Sequence, residues 1–320
     1  MPYGDIDLII IGAGPAGLTA AQYGARANLN VLAIEQLAPG GQAANIDILE
    51  NYPGNVRRLD ASGNVVEEPR TGYEFAMDLH RQAELFGSSF LYGFVSSIQK
   101  ENNLFKTTLF DGTALMAKAL IIATGTKPRL LDVPGEKKFA GKGVSYCAVC
   151  DGNFFKGKKI FVAGGGDAAC DEARYLSRLT DKIVLVHRRD SLRAQKAIAQ
   201  RTLNNPNIKV RFNTIIKEIT GDQKVKSVIL SDTITGDIYK EDTDAVFIFA
   251  GNVPQSGLAV ELNAALDENG YIITNQKMAT NISGVFAAGD VRSGTFRQVV
   301  TAAADGAMAA RSAAEYIDEL

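Results

Sequence analysis

The chain is poor in the residues that would build a cystine scaffold, a one-sign electrostatic field or a membrane anchor. It has three cysteines in 320 residues, two of them in a single Cys-x-x-Cys, which excludes the disulfide-stapled fold of small secreted domains. Lys and Arg number 34 against 36 Asp and Glu, leaving a formal net charge of −2. No whole-protein basic field is therefore available for nucleic acid or an anionic membrane, and any anion site must be local. No apolar stretch approaches the length of a membrane span. Residues 1–7 carry two acids and no base, and the apolar run 8–11 stops at Gly12, too short for a signal peptide. The cytoplasm is the expected compartment, with no nucleic acid and no membrane as partner. What is present is ordinary globular composition, 46% apolar and 22% charged, in a chain long enough for two domains. Glycine is abundant at 31 residues, which points to many tight turns or close approaches to a ligand.

A search for internal repeats finds one. Residues 8–11 read as a buried strand, followed by Gly12-Ala13-Gly14-Pro15-Ala16-Gly17, an Ala-rich helix over 18–27 and a second strand over 31–34 closed by Glu35. Residues 160–163 begin the same plan, followed by Gly164-Gly165-Gly166-Asp167-Ala168-Ala169, a helix, and a strand over 183–186 closed by His187. Gly12 to Glu35 and Gly164 to His187 are both steps of 23 residues. Each unit has the spacing of a dinucleotide fingerprint, G-x-G-x-x-G in one and G-x-G-x-x-A in the other. The first Gly allows the tight turn, the second lets backbone approach a pyrophosphate, and the third small residue lets helix and strand pack closely. The helix N-terminus then faces the phosphates.

The residue closing the second strand selects the nucleotide. Glu35 suits a ribose 2′-hydroxyl and would repel a 2′-phosphate. The second unit instead carries His187, Arg188 and Arg189, with Arg193 close behind, and guanidinium groups meet phosphate in bidentate fashion. The first unit is expected to hold a dinucleotide with a free 2′-hydroxyl and the second NADPH.

A further repeated element follows each unit. Residues 118–125 and 244–251 are buried-strand runs ending in Gly125 and Gly251, with Pro128 and Pro254 just beyond. Alternating segments at 104–116 and 225–240 precede them and read as antiparallel meanders. The expected fold is α/β, with two Rossmann-like dinucleotide-binding domains. Each is three-layered, a parallel sheet plus an antiparallel meander, and the second is inserted into the first. The boundaries expected are 1–125 with 255–320 for the first domain and 126–254 for the second.

Cys147-Ala148-Val149-Cys150-Asp151 lies between the first crossing and the second glycine turn. The i, i+3 spacing at the start of a helical turn brings the α-carbons within disulfide range. Zinc would need two further ligands, and the chain offers only Cys170, His80 and His187 besides. A redox-active pair is the main reading, with zinc and a structural role as its rivals.

With these motifs in order, together with Gly40-Gly41-Gln42, residues 50–54, Ala123-Thr124-Gly125, residues 284–290 and Arg297-Gln298, the chain resembles the low-molecular-weight, bacterial-type thioredoxin reductases over nearly its whole length. The resemblance implies FAD in the first domain, held by Gly12, Gly14, Pro15, Ala16, Gly17, Glu35, Gly41, Thr124, Gly125 and Gly289. It places Asp290 on the ribityl or phosphate side, and Gln42, Asn51, Arg297 and Gln298 near the ring or its edge. NADPH would lie on Gly164, Gly166, Asp167, Ala168, Ala169, His187, Arg188, Arg189 and Arg193. The resemblance further implies that Cys150 lies against the flavin, that Cys147 attacks the disulfide of a thioredoxin, that Asp151 is the acid/base, and that the enzyme is a homodimer.

The sequence departs from that family in three places. Residues 54–70 are about a dozen residues longer than the usual connector, and 59–66 read as a small hairpin. Ala168 and Cys170 stand where a hydroxyl residue and a Val or Met are frequent, and Cys170 is expected to be a packing residue. His80 is expected to be solvated. Competing functions are the same cofactors serving another thioredoxin-like, glutaredoxin-like or peroxiredoxin partner, a flavin dithiol oxidase, or a non-catalytic redox sensor. A ferredoxin-driven enzyme is disfavoured by the arginine cluster, and a peroxidase-reductase type by the lack of a thioredoxin-like domain before Gly12.

Overall fold

A computed structural model describes residues 5–55, 62 and 70–320. The expected hairpin at 59–66 lies outside the described residues. By the density of its internal contacts the chain forms two compact units, one of residues 1–127 with 253–320 and one of 128–252.

The first unit opens with β1 (Ile6–Ile11), α1 (Pro15–Arg26) and β2 (Val31–Glu35), then α2 (Gly72–Leu85), β3 (Ser89–Tyr92), β4 (Val95–Glu101), β5 (Leu104–Leu109) and β6 (Ala114–Ile122). The first crossing segment is β7 (Thr126–Pro128). In the second unit follow β8 (Val144–Ser145), α3 (Ala148–Asp151), β9 (Ile160–Gly164), α4 (Asp167–Leu176), β10 (Ile183–Val186), α5 (Lys196–Leu203), β11 (Ile208–Arg211), β12 (Thr214–Gly221), β13 (Val225–Asp232), β14 (Ile238–Asp242) and β15 (Ala245–Phe249). The return crossing, β16 (Asn252–Pro254), pairs with β7 as a two-stranded ribbon. The first unit closes with α6 (Gly257–Glu261), β17 (Val285–Ala287) and α7 (Val299–Asp318).

In the first unit, β3, β2, β1 and β6 are parallel neighbours in that order, and β17 adds parallel to the C-terminal half of β6. The N-terminal half of β6 pairs instead with β5 in the antiparallel meander β4-β5-β6. The parallel strands are covered on both faces, which is why they read as unbroken apolar runs. Alternation along them divides the core. Leu8, Ile10, Val31, Ala33, Ala119 and Ile121 pack on alanines of α1, α2 and α7, while Ile9, Ile11, Leu32, Ile34, Leu120 and Ile122 pack on the meander and α6. Helices α1 and α7 meet through small residues, and a methyl group at Gly306 would lie only 2.1 Å from the Ala16 carbonyl oxygen.

The second unit repeats the plan with five parallel strands in the order β11-β10-β9-β15-β8 and a separate meander β12-β13-β14. Ile160, Val162, Ile183, Leu185 and Phe247 face α4 through Ala173 and Leu176. Phe161, Val184, Val186, Val246 and Ile248 face the meander through Ile216, Val228 and Leu230. The two doubly covered α/β units and both meanders agree with the fold read from the sequence. No helix among the described residues is long and apolar enough to cross a membrane.

Candidate active site

In both units the singled-out residues gather where the parallel strands end, the edge at which open α/β sheets take ligands. In the first turn Gly12 has φ +102° and a methyl group there would lie 2.4 Å from the Ala123 carbonyl oxygen. A methyl at Gly17 would lie 1.8 Å from the carbonyl oxygen of Gly12, so helix and strand close together only without it. Gly14 is different: nothing lies within 4 Å of the position a methyl would take. It precedes Pro15 at the start of α1, whose N-terminus has no side-chain cap and no acid in its first turn. That open, electropositive cradle fits the pyrophosphate of a dinucleotide.

Glu35 shapes this turn. Its two carboxylate oxygens accept from the Ala13 N–H at 2.8 Å and the Leu37 N–H at 3.0 Å. Gln42 donates through Nε2 to the Thr126 carbonyl oxygen at 2.7 Å and hydroxyl at 2.8 Å. The Thr124 hydroxyl donates to the Gln255 carbonyl oxygen at 2.7 Å, and Gln255 Nε2 returns a bond to the Thr124 carbonyl oxygen at 2.8 Å. Beside them Gly41 and Gly125 take positive φ. Asn51 donates to Oε1 of Gln298 at 2.9 Å, and Gln298 is the N-cap of α7. Burial pushes the Asp290 carboxyl up, with Asp305 adding to the rise and Arg297 opposing it. The Arg297 guanidinium stacks 4.1 Å from the Tyr271 ring centroid. Asp305, which the sequence did not single out, accepts from the Gly289 N–H at 3.1 Å and from Arg292 at 2.7 Å.

The second turn has the same backbone logic and other side chains. Nothing lies within 4 Å of a methyl position on Gly166, the residue before α4, so a cradle is open here too. A methyl at Gly165 would strike the His187 ring at 2.3 Å. That ring is buried, with Nε2 left without a hydrogen-bond partner among the described residues. Burial first, then Arg193 and Arg189, hold its pKa below the usual histidine value. Arg188, Arg189 and Arg193 are exposed, and none has an ion-pair partner among the described residues. Asp167 opens α4, and its carboxylate accepts from Gln195 at both N–H, 2.7 Å, and Nε2, 2.8 Å. Ala169 is buried and Ala168 exposed.

Cys147 and Cys150 are joined in a disulfide with α-carbons 5.4 Å apart, which leaves neither sulfur as a metal ligand. Cys147 is the N-cap of α3, and its sulfur accepts from the Cys150 N–H at 3.1 Å. Ser145, missed in the sequence, ties the motif together. Its hydroxyl oxygen accepts from the Cys147 N–H at 3.1 Å and donates to the Asp151 carboxylate at 2.6 Å. The strand behind it is braced by buried Glu136, which accepts from the Leu131 and Asp132 N–H groups and from the Tyr146 hydroxyl at 2.9 Å. Burial foremost, and then its bond to the Glu136 carboxylate, push the Tyr146 pKa up.

Cys170 is buried on α4, and burial pushes its thiol up to about 11, as befits a packing residue. His80 is not solvated as expected. Its ring lies 4.3 Å from that of Phe90, and Glu84 sits 3.6 Å from its Nδ1, because β3 brings Phe90 across the face of α2.

Residues 6–306 match the family model described as pyridine nucleotide-disulphide oxidoreductase. The chain belongs to that family, whose members work with a flavin and a pyridine nucleotide. It is 51% identical to thioredoxin reductase of Treponema pallidum over 99% of this chain and 98% of that one. It is 44% identical to thioredoxin reductase of Bacillus subtilis, over 98% and 95%. A crystal structure of Lactococcus lactis thioredoxin reductase superposes with a TM-score of 0.92 at 41% identity, over 99% of this chain and 100% of that one.

Proposed function

We propose that the chain is an NADPH-dependent thioredoxin-disulfide reductase, with FAD in the first unit and NADPH in the second. The observation that carries this is the Cys147–Cys150 disulfide with the Asp151 carboxylate held beside it by Ser145, in a chain about half identical, end to end, to a thioredoxin reductase. The bound flavin supplies the means of taking a hydride from a nicotinamide and passing an electron pair to sulfur.

The chain's own residues do the rest. In the reduced pair, the Cys147 thiolate attacks one sulfur of the thioredoxin disulfide, and the bond between the two thioredoxin sulfurs breaks. Asp151 is the proton donor for the departing thiolate. Cys150 then attacks Cys147 in the mixed disulfide, which restores the Cys147–Cys150 bond and releases the second thioredoxin thiol. Two electrons and two protons leave with the partner. Glu35 favours the free 2′-hydroxyl of FAD, and Arg188, Arg189 and Arg193 favour the 2′-phosphate of NADPH. The proposed domains are 1–125 with 255–320 for FAD and 126–254 for NADPH. A homodimer in the cytoplasm, where thiols are kept reduced, completes the proposal.

The test is anaerobic reduction of the flavin-loaded protein with NADPH, followed by the cognate thioredoxin. Bleaching by NADPH, recovery on adding oxidised thioredoxin and two new thiols per NADPH are expected. Bleaching without recovery would transfer the function to another disulfide partner, and no bleaching would reject the enzyme.

A further inference from the structure

The arginines of the second unit sit on a loop between β10 and α5, and a loop of unpaired, mutually repelling guanidinium groups has no internal reason to hold one shape. Three bonds fix it. The Asn213 N–H donates to the Arg189 carbonyl oxygen at 3.0 Å, and the Arg193 N–H donates to the Gly165 carbonyl oxygen at 2.7 Å. The third is the two-pronged grip of Asp167 on Gln195, 28 residues away, through N–H at 2.7 Å and Nε2 at 2.8 Å. Gln195 is the N-cap of α5 and makes no cap of its own, and α5 has no acid in its first turn. The Asp167 carboxylate thus serves as the negative end that α5 lacks. Its charge is spent on the loop although it opens α4, where a free carboxylate would repel a phosphate.

We propose that Asp167 and Gln195 form a clasp that positions Arg188, Arg189 and Arg193 for a nucleotide 2′-phosphate. Gln195 is therefore a specificity-determining residue that does not itself touch the nucleotide. This rests on the assignment of NADPH to the second unit. The clasp and a plain electrostatic role for Asp167 predict opposite signs. If Asp167 were only a charge near the phosphates, removing it would tighten binding. If it is the clasp, removing it loosens the arginine loop and weakens binding of 2′-phosphorylated ligands alone.

The experiment is calorimetric titration of the flavin-loaded enzyme with adenosine 2′,5′-bisphosphate and with 5′-AMP, alongside KM for NADPH and NADH. The unsubstituted enzyme is expected to prefer the bisphosphate. Gln195→Ala should weaken the bisphosphate by roughly three- to tenfold with AMP moved less than about twofold, and Asp167→Ala should weaken the bisphosphate by about tenfold or more. Asp167→Asn keeps an acceptor for the Gln195 N–H and an amide partner for its side chain, so it should retain the preference. Tighter bisphosphate binding by Asp167→Ala, or an unchanged ratio in both alanine variants, would overturn the clasp while leaving NADPH in place. Equal binding of the two probes by the unsubstituted enzyme would overturn the cofactor assignment and the clasp with it.

Discussion

The two glycine turns show how one backbone design carries two different sets of side chains. Both place a small residue where helix meets strand and an open glycine before the helix. They part at the residue closing the second strand. Glu35 turns inward and accepts from the Ala13 N–H of the glycine turn and the Leu37 N–H just past its own strand, so its charge ties the cradle to the end of β2. His187 instead buries its ring under Gly165 and leaves the arginines beyond it exposed. On the proposed reading the backbone sets that a dinucleotide is held, and a few side chains past the second strand set which one.

The deepest break in the comparison is the disulfide, which only the second unit carries. Cys147→Ser and Cys150→Ser should each lower turnover with thioredoxin by roughly three orders of magnitude while NADPH still bleaches the flavin. Rapid mixing reads both, and surviving turnover in either variant would reject the dithiol route.

The closed and open glycines should separate folding from binding. Gly17→Ala must push Gly12 aside and should cost about 3 kcal/mol, read as a lower urea midpoint with flavin lost. Gly14 has extended backbone open to any residue, so Gly14→Ala should stay within about 1 kcal/mol of the parent yet weaken flavin binding. Equal stability of the two variants would refute the packing role given to Gly17.

Exchanging the selecting residues sharpens the contrast further. Replacing Arg188 and Arg189 together with Ala should lower the preference for NADPH over NADH by roughly 10- to 100-fold in kcat/KM, with flavin content unchanged. A preserved ratio would move 2′-phosphate recognition elsewhere.

The smallest effect concerns pH. His187 has its folded pKa depressed, chiefly by burial, below an unfolded value near 6.5. Below that pH the unfolded chain binds more protons, so the stability contributed by the neutral ring is present above about pH 6.5 and lost as pH falls through and below it. Thermal midpoints between pH 7.5 and 5.5 should fall less steeply in His187→Gln. Parallel profiles would assign the acid sensitivity to another group.

Both parallel sheets, both meanders and the cysteine pair were legible in the sequence because they rest on local signals. Apolar runs closed by glycine or by a single polar residue mark β1, β2, β9 and β10 at or within a residue or two of their observed ends. Contacts between distant segments were not legible. Asp167 holds Gln195 across 28 residues and Gly289 meets Asp305 across 16, with no pattern to announce either. His80 was misjudged for the same reason, since nothing around it in sequence foretells Phe90 over its ring. Ser145 was within reach, two residues before Cys147, where a hydroxyl can serve both the motif's backbone and its acid.

The alanine and glycine contact between α1 and α7 acts as a gauge for the whole first cradle. One helix starts at the glycine turn and the other at Gln298, so the distance between their N-termini follows from how closely the two shafts touch. With a methyl at Gly306 the shafts could not keep their spacing, and both ends would be displaced together. Such a lesion, made in one helix, would distort the turn at the head of the other and show up as a loss of colour in the purified protein.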